Sequence, residues 1–351
     1  MTVPAPPGAP SPSGPSGPAA STGDVEAPSV RNHPVRDLVV QRSLWGVLTL
    51  FLVSLIVFAA TQVLPGNAAY AVLGQTATPQ SLAALEQRLG LDRPAATQYA
   101  DWLGGVVRGD FGTSLVGQQQ PVASLVWPRV VNSATLVLLA GLIGSALGVA
   151  LGLWAALRRD KPDDHVLSLT SLAVTSLPEF AVAIGLVFVF ATNVFNWFPA
   201  VSPIPPGTKP WQEPQMLVLP VMTLVIVVIP YIFRMMRAAA IEAMESDYVE
   251  MARLKGLPRT AVLVRHALPN AVPATIQAIG LTFLYLAGGI VLVEYVFAYP
   301  GIGSGLVDAV TDKDIPVIQF IVLLLAAFYV VMNILTDVVS LLASPRRRIP
   351  R

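Results

Sequence analysis

Six apolar runs, near residues 44–63, 133–157, 166–191, 216–236, 272–295 and 315–342, constrain this chain more than any other feature. Each is long enough to cross a bilayer, because about 30 Å of hydrocarbon takes roughly 20 helical residues. The composition agrees: 54% hydrophobic and 12% charged residues over 351 positions depart from what a soluble domain of this size carries. The expected fold class is therefore an all-α integral membrane protein with six transmembrane helices. An even number of crossings puts both termini on one side.

Which side follows from the basic residues. If the amino terminus is inside, cytoplasmic segments hold Arg31, Arg36 and Arg42, then Arg158, Arg159 and Lys161, then six residues from Arg234 to Arg265, then Arg346, Arg347, Arg348 and Arg351, 16 of the 22. The opposite face keeps only Arg88, Arg93, Arg108, Arg129, Lys209 and Lys313. The positive-inside rule thus places both termini in the cytoplasm, for a multi-pass protein of the cell's inner membrane. The net charge of +1 gives no argument for nucleic acid, so lipid is the expected surrounding and nucleic acid is not expected as a partner. The absence of cysteine rules out disulfides, thiolate metal sites and thiol catalysis.

Three regions follow along the chain. Residues 1–40 are Pro/Gly/Ser-rich and read as a disordered cytoplasmic tail, a solvated extension before they are a binding segment. Residues 41–345 form the membrane domain, and 346–351 a basic cytoplasmic tail. The long polar tail precedes a full-length apolar run that ends in Leu64-Pro65-Gly66, so that run reads as a retained anchor rather than a cleaved signal.

Outside, residues 64–132 make one sizeable connection with helical patterning. Thr78-Pro79 reads as an N-cap followed by proline at the first helical position, "QSLAALEQRL" has apolar residues at helical spacing, and Gly90 suits the C-terminal cap. A second short helix is expected around Gln98 to Val107, before the turn-rich "RGDFGTS". The 192–215 connection is Pro-rich and carries Trp197 and Trp211, as suits a segment at the membrane interface.

Inside, "DYVEMARLKGLPRTAVLVRHALPNAVP" stands between two apolar runs. Residues 248–255 suit one helical stretch, Gly256 permits a sharp bend, and Pro258 fits the first turn of a second helix running toward Leu268-Pro269 and the fifth span. Two short helices joined by a tight turn make a cytoplasmic knob suited to a groove on a partner. The alternative is a basic amphipathic loop lying on anionic headgroups.

The same segment resembles the EAA loop of ABC importer permeases. Glu250-Met251-Ala252, three residues, Gly256, nine residues and then His266-Ala267-Leu268-Pro269 follow that pattern, with Met251 in place of the middle alanine and His266 in place of isoleucine. "RHALPNA" is similar to the form found in the dipeptide/oligopeptide/nickel branch, as are, in order, "VLPGNAAYAVLG", "LGLDRPAATQYADWL", "GDFGTS" and "VEYVFAYPGIGSGLVDAVTDKDIPVIQ". The chain is most similar to the first of the two peptide permeases of that branch, over about residues 40 to 345. This resemblance implies a permease subunit of an ATP-driven importer, paired with a second, homologous permease, two ATP-binding cassette subunits and an extracytoplasmic solute-binding protein. It further implies that Asp247, Tyr248, Glu250, Ala252, Arg253, Lys255, Gly256, Arg259, His266 and Pro269 make or shape the coupling contact. The cargo it implies is a dipeptide or longer peptide, with nickel complexes or another small solute as the alternative.

The residues themselves fit that division of labour. None of the four lysines, Lys161, Lys209, Lys255 and Lys313, sits in a phosphate-binding loop, so this chain is not expected to be an enzyme or to hold a cofactor. ATP and magnesium are expected in the partner subunits. Within the spans, Gly144, Gly148 and Gly152 lay a smooth stripe for close helix packing. Glu179, near the middle of the third run, costs roughly 2.5–3.5 kcal/mol at a bilayer centre unless it faces water or a partner. It reads either as lining a translocation pathway, with Gln277 and Tyr285 of the fifth run as further candidates, or as the first-turn residue of a helix restarted after Pro178. Asn333 and Asp337 of the sixth run are also polar, Asp337 reading as a helix-pairing residue near the cytoplasmic end. A stand-alone secondary transporter or channel is the competing class of function; it predicts internal repeats or discontinuous charged helices, and no half-to-half repeat is visible.

Overall fold

The computed structural model describes residues 34–63, 78–89, 93–116 and 120–343. The two tails, the segment 64–77 and the expected cap at Gly90 lie outside these described residues. Twelve α-helices are described: α1 (Pro34–Val63), α2 (Pro79–Leu89), α3 (Ala95–Arg108), α4 (Val122–Leu157), α5 (Pro162–Thr175), α6 (Glu179–Val187), α7 (Pro214–Met244), α8 (Asp247–Leu254), α9 (Arg259–Val262), α10 (Leu268–Val296), α11 (Ile302–Thr311) and α12 (Ile315–Ala343). π-helical turns extend α6 over Phe188–Asn193 and join α9 to α10 over Leu263–Ala267. The all-α membrane fold expected from the sequence is the fold observed.

Five of the expected spans are continuous helices: α1, α4, α7, α10 and α12. The third is not. Its run begins at Pro162 and is bent by 101° between α5 and the helix starting at Glu179. Pro178 supplies the cause, because it has no N–H, its ring would strike the carbonyl of Val174 in a continuous helix, and it biases Leu177 away from helical geometry. The second span also differs, beginning eleven residues before the apolar run. A helix need not stop where the hydrocarbon does, and the added segment buries Val122 and Val126 against α11 and α12.

α7 is the axis of the bundle. In its most apolar window 61% of residues are buried, against 28% for α1 and 22% for α12, which places those two at the periphery. The glycine stripe of α4 seats it: a Cβ added to Gly144, Gly148 or Gly152 would lie 2.5 Å from Val228 Cγ2, 2.8 Å from Ile232 Cβ and 2.8 Å from the Phe233 carbonyl oxygen, respectively. Side chains there would hold the two backbones apart.

The described part of the connection between the first two spans is capped locally and tied to the bundle at two places. Thr78 caps α2, accepting from the Ser81 N–H at 3.2 Å, while the Thr78 N–H donates to Ser81 Oγ at 2.9 Å. α3 rests on α1 through Tyr99, whose hydroxyl lies 2.8 Å from Ser54 Oγ and whose ring meets Phe58 edge-on. The turn that follows uses Gly109 and Gly112 at φ of +80° and +76°. It ends pinned to the start of α12, where the buried Asp314 accepts from Ser114 Oγ and from the Leu115 N–H at 3.1 Å.

The sequence reading did not foresee α11 or the buried polar knot beneath it. Glu294, fully buried near the end of α10, accepts from Ser133 Oγ of α4 and from the Ser304 N–H of α11 at 3.0 Å. Tyr299 donates to the Asn132 carbonyl at 3.0 Å, Asn132 donates to the Pro300 carbonyl at 2.8 Å, and Arg129 reaches Asp308 at 3.2 Å. Burial, reinforced by the nearby Glu294 charge, pushes the Tyr299 hydroxyl above its ordinary value and keeps it a donor. Gly301 is fixed by this knot, since an added Cβ would lie 1.9 Å from Glu294 Oε1. One satisfied carboxylate thereby joins α4, α10 and α11.

Candidate functional site

Two places carry functional candidates: the 247–270 hairpin and a cavity at the break in the third span. In the hairpin, α8 turns Val249 and Ala252 into a core formed with Met244, Val262, Leu263, Ala267 and Ala271. The small Ala252 therefore packs inward and shapes the hairpin rather than presenting itself outside. The outward face combines Asp247, Glu250 and Lys255 with Met251 and Leu254, which are 60% and 76% exposed. Glu250 and Lys255 have no ion pair among the described residues. Among the described residues this is an exposed amphipathic surface.

Gly256 makes the bend at φ of +80°, in the left-handed region where a Cβ is disfavoured. The Val262 N–H then bonds to the Pro258 carbonyl at 3.0 Å, which starts the second helix where the sequence predicts. As expected, that helix runs on through the π-helical turn and Leu268-Pro269 into α10, and Pro269 is exposed. Tyr248, Arg253, Arg259 and His266 belong to this hairpin by backbone position, and their side chains lie outside what is described.

A second structure anchors the same end of the molecule. Arg237 of α7 donates from Nε and Nη2 to the two oxygens of Asp164 at 2.6 and 2.7 Å, and Asp164, at the start of α5, is fully buried. Arg159 pairs with Glu245 at the opposite end of the same loop. Bidentate geometry fixes α5 to α7 about two turns before α7 ends. A signal was present in the sequence, since Asp163-Asp164 directly follows Pro162 as the acidic opening of a helix, but nothing in the periodicity names Arg237 as the partner.

Deeper in the bundle, Glu179 opens α6 with Pro178 at the cap, and the Tyr285 hydroxyl of α10 donates to its Oε1. The carboxylate lies against Gly289, where an added Cβ would be 2.8 Å from Oε1, and its buried Oε2 has no hydrogen-bond partner among the described residues. Glu179 and Tyr285 are thus brought together. Gln277 is not with them: it donates to Asp337 at 3.4 Å, and Asp337 pairs with Arg42 at 2.8 Å, which links α1, α10 and α12. Asn333 donates to the Tyr329 carbonyl of its own helix at 2.9 Å.

Between α5, α7 and α10, at the level of the break, lies a cavity of about 320 Å³. Its polar lining is Thr175, Tyr231, Arg234, Thr282 and Tyr285, and Val174 and Leu177 are among its apolar lining. Counting Arg234 only as a cytoplasmic charge concealed it as a cavity residue. The cavity therefore offers hydroxyls and a guanidinium, with a carboxylate directly behind Tyr285.

The comparisons with known proteins agree with this architecture. Residues 148–349 match the family described as "Binding-protein-dependent transport system inner membrane component", and residues 35–127 match its N-terminal membrane component. The chain is 34% identical over 312 residues to the "Probable peptide ABC transporter permease protein y4tP" of Sinorhizobium fredii, covering 88% of this chain and 98% of that one. It is also 34% identical over 310 residues to the "Glutathione transport system permease protein GsiC" of Escherichia coli (strain K12), again covering 88% and 98%. A matched region spanning more than half of the chain, a second over its N-terminal part, and relatives aligned nearly end to end leave one assignment: the chain belongs to the binding-protein-dependent transport system inner membrane components and is a multi-pass permease subunit of an ABC importer.

Proposed function

We propose that this permease forms half of a translocation pathway for short peptides and receives the work of ATP hydrolysis through the 247–270 hairpin. Its partners are a second, homologous permease, two ATP-binding cassette subunits that hold ATP and magnesium, and an extracytoplasmic solute-binding protein. The observation that carries the coupling half is the hairpin itself: a left-handed bend at Gly256, backed by a packed core, that leaves Glu250, Met251 and Leu254 exposed among the described residues. The names of its relatives, a peptide permease and a glutathione permease, support peptides as the cargo.

In this reading Met251 and Leu254 seat α8 in a groove of the ATPase, while Glu250 and the basic residues of the hairpin set its register, the usual contribution of interface charges. Arg237 and Asp164 carry the displacement of α7 into α5, and so to the break beside Glu179. Glu179, held by Tyr285, meets the cationic amino terminus of the peptide in a water-filled path. The test is uptake by the reconstituted importer in vesicles. Transport of dialanine should require ATP and the binding protein, and Glu179→Gln should reduce it more than it reduces uptake of N-acetyl dialanine. Equal losses accompanied by a lower melting temperature would make Glu179 a packing residue only.

The same reading puts both termini in the cytoplasm, following the distribution of basic charge. The absence of native cysteine gives a clean background for testing it. A cysteine at the exposed Gln120 should react with an impermeant thiol reagent added outside intact cells, and one at the exposed Thr260 should react only after the membrane is opened. The inverse pattern would turn the hairpin outward and end the coupling assignment.

A further inference from the structure

The permease's cavity holds a charge that the coupling machinery does not use. Arg234 lies two residues before the end of the apolar run 216–236, inside α7. A guanidinium within a span is costly unless it faces water or an anion. Arg237, one turn on, has Asp164, but Arg234 has no ion pair or hydrogen bond among the described residues. It lines the cavity with Tyr231 one turn before it on α7, Thr175 at the end of α5 and Tyr285 on α10.

From this geometry we propose that the cavity is a subsite for the carboxylate of the transported peptide, with Arg234 as its anchor and the Tyr231 hydroxyl as a second donor. The inference rests on the peptide-import reading and extends it to the peptide's other terminus. A guanidinium presents paired donors that match a carboxylate, which a lone hydroxyl cannot do. Glu179 sits behind Tyr285, so the cavity region bears one charge of each sign, as a zwitterionic peptide with two free termini requires. The volume agrees: about 320 Å³ is at the small end of the roughly 300–1,000 Å³ typical of ligand sites, which suits a di- or tripeptide rather than a long chain. Water in the cavity keeps the attraction moderate, so a bound peptide is also released.

The experiment compares dialanine with its C-terminal amide in the complete reconstituted importer, each at a concentration that saturates the binding protein. Arg234→Gln should lower dialanine uptake by about tenfold, the loss of one charge-assisted contact, and leave uptake of the amide near its wild-type level. Arg234→Lys, which keeps the charge without the paired donors, should recover part of the loss. Equal changes for the two compounds in Arg234→Gln, or no change for either, would overturn the subsite while leaving the peptide-import reading intact. A wild-type importer that moves neither compound, although its binding protein holds them, would sink both. A melting curve for each variant separates discrimination from misfolding: a lowered melting temperature with equal losses assigns Arg234 to structure.

Discussion

Gly256→Val is expected to reduce peptide uptake and substrate-stimulated ATPase activity by about tenfold or more while the protein still inserts and assembles its bundle. The bend needs φ of +80°, and an L-residue in that region costs roughly 1–2 kcal/mol, more when it is β-branched. Each 1.4 kcal/mol is a factor of ten in the population of the docking-competent hairpin. The effect comes from the backbone and not from crowding, because an added Cβ at Gly256 meets nothing within 4 Å. That separation gives a graded test: Asn, which tolerates left-handed geometry, should retain the most function, Ala less and Val the least. An order set by side-chain volume instead, with Ala more active than Asn, would point to steric contact with the ATPase. Glu250→Arg attacks the same docking from the other direction, leaving the bend intact and reversing the exposed charge. If either Gly256→Val or Glu250→Arg inserts normally and keeps full stimulated turnover, the hairpin is not the coupling element.

What the sequence disclosed about this hairpin and what it withheld have different physical origins. The bend, the two helices and the cap at Thr78 were legible because each depends on neighbours a few residues apart. A glycine that must adopt positive φ, a proline in a first turn and a hydroxyl three residues from the N–H it satisfies all leave local marks. The stripe of Gly144, Gly148 and Gly152 was legible for the same reason, since four-residue spacing fixes one helix face whatever lies opposite. The apolar runs located the spans, but hydropathy sums composition and carries no direction. It therefore could not show that the third run bends by 101°, although Pro178 marked the place, or that α4 begins at Val122 rather than near residue 133.

The pairings were hidden because they join distant parts of the chain. Glu294 and Ser133 are 161 residues apart, Asp314 and Ser114 are 200 apart, and Arg237 and Asp164 are 73 apart. In each case the sequence shows an isolated polar residue at the edge of an apolar run, and only the fold supplies its partner. Glu294 obeys the logic that singled out Glu179, a carboxylate within an apolar run that requires a donor, and the same scan extended to the end of the fifth run would have marked it. Gln277 shows the reverse. It is polar and within a span, yet its nearest polar partner belongs to the Asp337–Arg42 network and not to the cavity.

The largest loss of assembly is expected from Gly152→Leu. A Cβ at Gly152 would lie 2.8 Å from the Phe233 carbonyl oxygen, 2.8 Å from Met236 Cβ and 3.1 Å from the Arg237 backbone nitrogen, so the obstruction includes the backbone of α7 itself. At Gly148 the nearest atoms are the Ile232 side chain at 2.8 and 2.9 Å, with backbone only at 3.4 Å, and at Gly144 the close contact is the tip of Val228 at 2.5 Å. A side-chain tip yields by changing rotamer, whereas a helix backbone yields only by moving the helix. Destabilisation should therefore rank Gly152→Leu above Gly148→Leu above Gly144→Leu. Overpacking typically costs about 1–3 kcal/mol and more where backbone must shift, which for a bundle of this size lowers the melting temperature by roughly 2–5 °C. Moving α7 at this level also draws Arg237 away from Asp164 and leaves a fully buried carboxylate unpaired, a further loss that a shift at Gly144 would not cause. Gly185→Ala is the control, because an added Cβ there meets nothing within 4 Å. Melting curves of the purified importer read the series. Equal destabilisation at all three positions of the stripe would mean that α4 and α7 meet through deformable side chains along their whole length, and a wild-type melting temperature for Gly152→Leu would separate the two helices altogether.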